Sequence, residues 1–146
     1  MTINEIQDQI IEDFEVLEDW MDKYQLIIDT GNDLPPLDEK FKKPQYLIEG
    51  CQSRVWINAE FDGEKMYLFA ESDTVIVKGI IAMLVRVLSA RTPDEVINAD
   101  LYFIDRIGLK DHLSPTRSNG LVSMIKQIRN YALAFNYQKA QKSSVS

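Results

Sequence analysis

The stretch Arg54-Val55-Trp56-Ile57-Asn58-Ala59-Glu60-Phe61-Asp62-Gly63-Glu64-Lys65-Met66-Tyr67-Leu68-Phe69-Ala70-Glu71 decides the fold. Asp62-Gly63 is a strong two-residue hairpin signal, because both residues tolerate positive φ. Centring the turn there places Phe61 opposite Glu64 and fixes the remaining pairs by counting. One face becomes Ala59–Met66, Ile57–Leu68 and Val55–Ala70, wholly apolar. The other becomes Glu60–Lys65, Asn58–Tyr67, Trp56–Phe69 and Arg54–Glu71, with two opposite-charge pairs and one aromatic pair in register. A slip of one residue would turn the apolar set to water, so the faces are fixed by the pattern. Tyr46-Leu47-Ile48 is expected to add a third strand.

Upstream, Thr2-Ile3-Asn4-Glu5 fits a capping box, and apolar residues then recur at spacings of three and four from Ile3 to Ile28. This predicts amphipathic helix to about Asp29, broken once near Asp13, with Gly31 as a left-handed cap. Leu34-Pro35-Pro36-Leu37 reads as a stiff extended spacer. Downstream, Ser72 or Asp73 caps a helix from Thr74 to about Ser89, apolar nearly all round and therefore packed against the sheet. Thr92-Pro93-Asp94-Glu95 starts a short helix, Leu101 to Ile107 adds a turn or two, and a last helix follows Ser114-Pro115. The expected class is α+β: a small antiparallel sheet of about three strands, with one hairpin over 54–71, packed by helices from both ends of the chain. The expected organisation is a single domain over 1–137 with a disordered tail over 138–146.

Composition narrows the function. The chain has 146 residues, 45% of them apolar, which suits one globular domain with its own core. Its net charge of −7 argues against nucleic acid as a partner. One cysteine excludes an intrachain disulfide, and with one histidine it cannot build a zinc or iron–sulfur site unaided. The apolar run Val75 to Leu88 is too short to cross a bilayer, and the N-terminus is unlike a secretory signal; a cytoplasmic protein with a reduced thiol is expected. Residues 1–22 hold acids and no Lys or Arg, residues 112–146 bases and no acid, a pattern of solvated helix faces.

Cys51 is the candidate reactive group. Free cysteines are commonly buried as small hydrophobes, but this one sits between flexible Gly50 and polar Gln52 and Ser53. A loop thiol can reach another molecule; one in a core strand cannot. Its thiolate needs a nearby cation or helix N-terminus, and Arg54, Arg117 and the helix beginning near Asp73 are the candidates. Arg54 has an equal claim as the cross-strand partner of Glu71. His112 has the chemistry of a base for a Cys–His dyad, but no peptidase signature surrounds Cys51. A non-catalytic adaptor, binding through its acidic N-terminal helix with an incidental cysteine, is the alternative from a different class.

Glu49-Gly50-Cys51-Gln52-Ser53-Arg54-Val55-Trp56 closely resembles the signature of the SufE family, the sulfur acceptors of cysteine desulfurases in iron–sulfur cluster assembly. Leu34-Pro35-Pro36-Leu37, Ser72-Asp73 with Val77-Lys78-Gly79, and Leu113-Ser114-Pro115-Thr116-Arg117-Ser118-Asn119-Gly120-Leu121 extend the resemblance from about Leu34 to Tyr131. Some family members carry Gln at the position of Arg54. The resemblance implies that Cys51 takes sulfane sulfur as a persulfide from a pyridoxal-phosphate-dependent, SufS-like desulfurase, stimulating it. The sulfur then passes to a SufBCD-like scaffold complex. It implies no cofactor on this chain, the pyridoxal phosphate belonging to the partner; no membrane partner is expected, from the short apolar run alone. It also implies a SufE/IscU-like fold, without that scaffold's cluster-binding cysteines. Gly50, Gln52, Ser53, Asp73 and Arg117 are implied as partner-contact or loop-tuning positions. With no second cysteine to resolve a disulfide, the count suits a sulfur carrier better than a thiol oxidoreductase. An apolar shelter would protect the persulfide from cytosolic thiols, and Trp56 and Phe69, paired outside the hairpin, are candidates to line it.

Overall fold

The computed structural model describes residues 1–48 and 54–145, the side chains of 115, 116 and 142–145 excepted. Six helices and one hairpin are present in these segments: α1 Ile3–Glu15, α2 Trp20–Asn32, β1 Val55–Phe61, β2 Met66–Ser72, α3 Val75–Leu88, α4 Pro93–Asn98, α5 Phe103–Arg106 and α6 Pro115–Val145. The α+β class stands. The expected third strand is reduced to a single antiparallel bridge between Leu47 and Trp56. Pro44 and the 3₁₀ turn Pro44–Tyr46 leave no room for a longer ladder before it.

The hairpin register differs from the expected one by two residues. Phe61 pairs with Met66, Glu60 with Tyr67, Ala59 with Leu68, Asn58 with Phe69, Ile57 with Ala70 and Trp56 with Glu71. The turn itself explains the shift. The Asp62 carboxylate Oδ1 accepts the N–H groups of Glu64 at 2.8 Å and Lys65 at 2.7 Å, and the Asp62 N–H donates to the Lys65 carbonyl at 3.1 Å. Asp62 and Lys65 thus close the ladder, Gly63 and Glu64 form its turn, and only Gly63 takes positive φ, at 98°. Because the shift is even, the faces are unchanged: Val55, Ile57, Met66, Leu68 and Ala70 are all buried. The pairs Glu60–Lys65, Trp56–Phe69 and Arg54–Glu71 do not form; Trp56 and Phe69 sit diagonally, and Phe69 is exposed.

Over the buried face lies α3, whose Ile80, Ile81, Met83, Leu84 and Leu88 complete the core. Against α3 packs α2, at a crossing made by two glycines. A Cβ on Gly79 would stand 2.1 Å from the Ile27 carbonyl oxygen, and one on Gly31 would stand 2.8 Å from the Gly79 nitrogen. Gly31 therefore does not cap the helix as expected; α2 continues through it to Asn32, and its missing side chain lets two backbones touch. The break in the N-terminal helix falls at 16–19, later than expected, where Asp19 caps α2 by accepting the Met21 N–H at 3.0 Å. The capping boxes at Thr2–Glu5 and Thr92–Glu95 both form.

At the other side of the hairpin runs α6. The Tyr131 hydroxyl donates to the Ile57 carbonyl at 2.8 Å, and the Phe135 ring stacks on Phe61 with centroids 5.1 Å apart. The segment 138–145, where a frayed tail is expected from composition, continues as helix.

Candidate functional site

Gly50, Cys51, Gln52 and Ser53, the centre of the expected site, lie outside the described residues. What flanks them is defined on both sides. On the N-terminal side Ile48 is buried, and its N–H donates to the Val55 carbonyl at 2.8 Å. On the C-terminal side the Arg54 N–H donates to Asp73 Oδ1 at 3.0 Å, and the Asp73 N–H returns a bond to the Arg54 carbonyl at 3.2 Å. The same Asp73 oxygen accepts the Thr74 hydroxyl at 3.2 Å, while Ser72 Oγ accepts the Thr74 N–H at 3.3 Å.

Asp73 thus stands at the junction of β2 and α3 with its carboxylate on the backbone of β1's approach. Thr74, not Ser72 or Asp73, is the residue preceding α3, and its side chain makes no capping bond. Asp73 instead holds the hairpin's open end closed where residues 49–53 leave and return. A carboxylate accepting a backbone N–H makes a stronger bond than a neutral acceptor would.

The cations arrange themselves differently from the cross-strand expectation. Lys42, between the 3₁₀ turns Glu39–Phe41 and Pro44–Tyr46, reaches Glu71 at 2.9 Å and Glu39 at 3.0 Å. The bond to Glu71 raises the Lys42 pKa above its ordinary 10.5, and the one to Glu39 adds to it. Glu71 is thereby occupied, and Arg54 is exposed with no ion pair among the described residues. Arg117 lies in the first turn of α6, also exposed, where its N–H donates to Ser114 Oγ at 3.3 Å. No described hydrogen bond or ion pair joins Arg117 to Asp73.

His112 has a structural engagement of its own. Its ring stacks on Trp20, with centroids 3.5 Å apart and planes 16° from parallel. Nδ1 lies 3.2 Å from the Gly108 carbonyl, and the backbone carbonyl of His112 accepts the Tyr24 hydroxyl at 3.1 Å. This ring fastens α2 to the turn before α6.

Beside Ile48 a cavity of about 500 Å³ opens between residues 44–48 and one stripe of α6. Its walls include Gln45, Leu47, Ser123, Lys126 and Asn130. Neither Lys42 nor this groove is apparent in the sequence, since both arise from tertiary contacts of residues with no motif. No cluster of His, Cys, Asp or Glu among the described residues is suited to a metal ion. No described helix is long and apolar enough to cross a membrane.

Comparison with known proteins follows the same lines. The SufE family, described as the Fe-S metabolism associated domain, matches residues 8–132. The chain is 36% identical over 137 residues to "SufE-like protein 1, chloroplastic/mitochondrial" of Arabidopsis thaliana; the match covers 93% of this chain and only 37% of that longer protein. It is 39% identical over 130 residues to an uncharacterized SufE-like protein of Rhizobium etli, covering 86% of this chain and 88% of the relative. In fold it is similar to the solution structure of a hypothetical protein from Thermus thermophilus, with a TM-score of 0.75 at 19% identity, covering 90% and 96% of the two chains. The buried hairpin, the helices on either side of it and the match over 8–132 together establish that the chain belongs to the SufE family, a family associated with iron–sulfur metabolism.

Proposed function

We propose that this protein is a persulfide carrier, with Cys51 accepting sulfur from a pyridoxal-phosphate-dependent cysteine desulfurase. The Cys51 thiolate attacks the outer sulfur of the desulfurase Cys–S–SH. The S–S bond of the donor breaks, its cysteine leaves as a thiolate, and Cys51 becomes Cys–S–SH with no net oxidation or reduction. Unloading the donor cysteine frees it for another turnover, so the carrier stimulates the desulfurase. The sulfur then passes by the same exchange to a nucleophile on the iron–sulfur scaffold complex, and the carrier works in the cytoplasm.

The observation that supports this reading is that the chain's one cysteine falls in the family's signature, between Ile48 and Arg54, whose backbones are both hydrogen-bonded at the open end of the hairpin. Connections between fixed elements are where binding and reactive groups concentrate. The exposed guanidinium of Arg54, three residues along, supports a thiolate at this place, because Glu71 is already paired with Lys42. Asp73 acts as the tuning residue that holds the return of the segment, and Arg117 as a contact for the partner.

The test is direct. Incubation with its desulfurase and cysteine should leave one extra sulfur on Cys51, seen by intact mass and removed by reductant, and Cys51→Ser should show none. An active desulfurase that leaves the wild-type mass unchanged would refute the proposal.

A further inference from the structure

The groove beside Ile48 has features that the transfer of sulfur itself does not use. Its floor is the stripe Ser123, Lys126, Gln127 and Asn130 of α6, spaced so that all four share one helical face. Its wall is the segment 44–48, which ends on the bond from Ile48 to Val55. At about 500 Å³ it falls within the size range of real ligand sites, roughly 300–1,000 Å³. Gln45, Ser123, Lys126 and Asn130 have no side-chain partner among the described residues. The polar part of the lining is amide, hydroxyl and one ammonium, with no carboxylate, beside the apolar Pro44, Leu47 and Ile48.

That chemistry selects its occupant. Side-chain amides pair equally well with the N–H and C=O of an extended peptide, and a lone ammonium seeks a carboxylate. Lys126 is the one charged residue of the lining, and α6, which carries it, holds no acid, so the groove offers a positive charge although the whole chain is at −7. A fully apolar or cationic segment would leave Lys126 and the amides facing a surface that cannot answer them.

We infer that this groove receives an extended, carboxylate-bearing segment of the protein that delivers sulfur, docking it beside the segment that holds Cys51. The inference rests on the persulfide-carrier reading, and adds where the donor is gripped and by what. Lys126 is a docking residue and takes no part in the sulfur exchange.

The experiment separates grip from chemistry. Isothermal titration of the full-length protein with its purified cysteine desulfurase would be run for wild type, Lys126→Glu, Lys126→Ala and the exposed control Lys139→Glu, with thermal melts to confirm folding. Reversal at Lys126 should weaken Kd about tenfold or more and reduce its dependence on salt, Lys126→Ala should fall between, and Lys139→Glu should bind within about twofold of wild type. Loading of Cys51 by saturating desulfurase should remain in Lys126→Glu. If Lys126→Glu binds like wild type, or if Lys139→Glu weakens binding equally, the groove is not the docking site, while normal loading would leave the carrier reading standing. If the wild type neither binds the desulfurase nor takes sulfur, the carrier reading fails and the inference falls with it.

Discussion

Replacing Gly79 with Ala probes the contact on which the helical layer depends. The added Cβ would lie 2.1 Å from the Ile27 carbonyl oxygen, 2.5 Å from Ile27 Cγ2 and 2.7 Å from the Ile27 carbonyl carbon, whereas ordinary contact begins at 3.4 Å. The shortfall at the oxygen is 3.4 − 2.1 = 1.3 Å. It falls on the backbone of a helix, so no rotamer change relieves it, and α2 must withdraw from α3. Ile27 is wholly buried and would leave a gap behind it. Overpacking of this kind costs about 1–3 kcal/mol, and a backbone clash belongs at the upper end. Alanine is the better helix former by about 1 kcal/mol, which offsets part of that. The net expectation is a loss of about 2 kcal/mol, or a Tm lower by about 4–8 °C in a chain of this size. Equilibrium urea unfolding followed by circular dichroism, alongside a thermal melt, measures it. Gly31→Ala, meeting Gly79 N at 2.8 Å, should lose less, and the double variant should fall short of the sum because both methyl groups force apart the same crossing. A Gly79→Ala protein as stable as wild type, or more stable, would show that the two helices do not touch there.

Asp73→Ala should leave the global melt nearly unchanged but release the Arg54 amide, whose hydrogen-exchange protection should drop about fivefold, the equivalent of about 1 kcal/mol; protection as strong as in wild type would mean that the carboxylate does not hold this end. The Asp62 carboxyl titrates below its ordinary 3.8, first because of the Lys65 N–H it accepts and then because of that of Glu64. A depressed folded-state pKa gives stability that is full above 3.8 and fades as pH falls through the lower folded value. Wild type should therefore be more stable than Asp62→Asn at neutral pH, with the gap closing on acidification below about 3.8; a gap constant with pH on thermal melts would remove the carboxylate from the turn.

Much of this architecture is legible in the residues because strand faces repeat every two positions and helix faces every three to four. That is why the buried set Val55, Ile57, Met66, Leu68 and Ala70 follows from pattern alone, even though the pairing partners do not. Register is decided by one carboxylate, Asp62 Oδ1, which no periodicity records. Gly31 misleads because a glycine near a helix end signals a cap and a helix crossing equally well, and only the approach of Gly79 distinguishes them. Gln7 on α1 is wholly buried, donating to the Asp100 carbonyl at 3.0 Å and accepting the Phe103 N–H at 3.2 Å. These two partners lie more than ninety residues away, so sequence offers no sign of the burial. At the candidate site, the signature around Cys51 is conspicuous in sequence, whereas the posts at Ile48 and Asp73, the Lys42–Glu71 pair and the groove on α6 exist only once the chain is folded.

The two posts also bring separate parts of the chain to one place. Ile48 bonds to Val55 and Arg54 to Asp73, so the chain before β1, the start of β1 and the approach to α3 meet at one edge of the hairpin. On the carrier reading that edge is shared ground, and a sulfur donor and a sulfur acceptor that both need it would exclude one another.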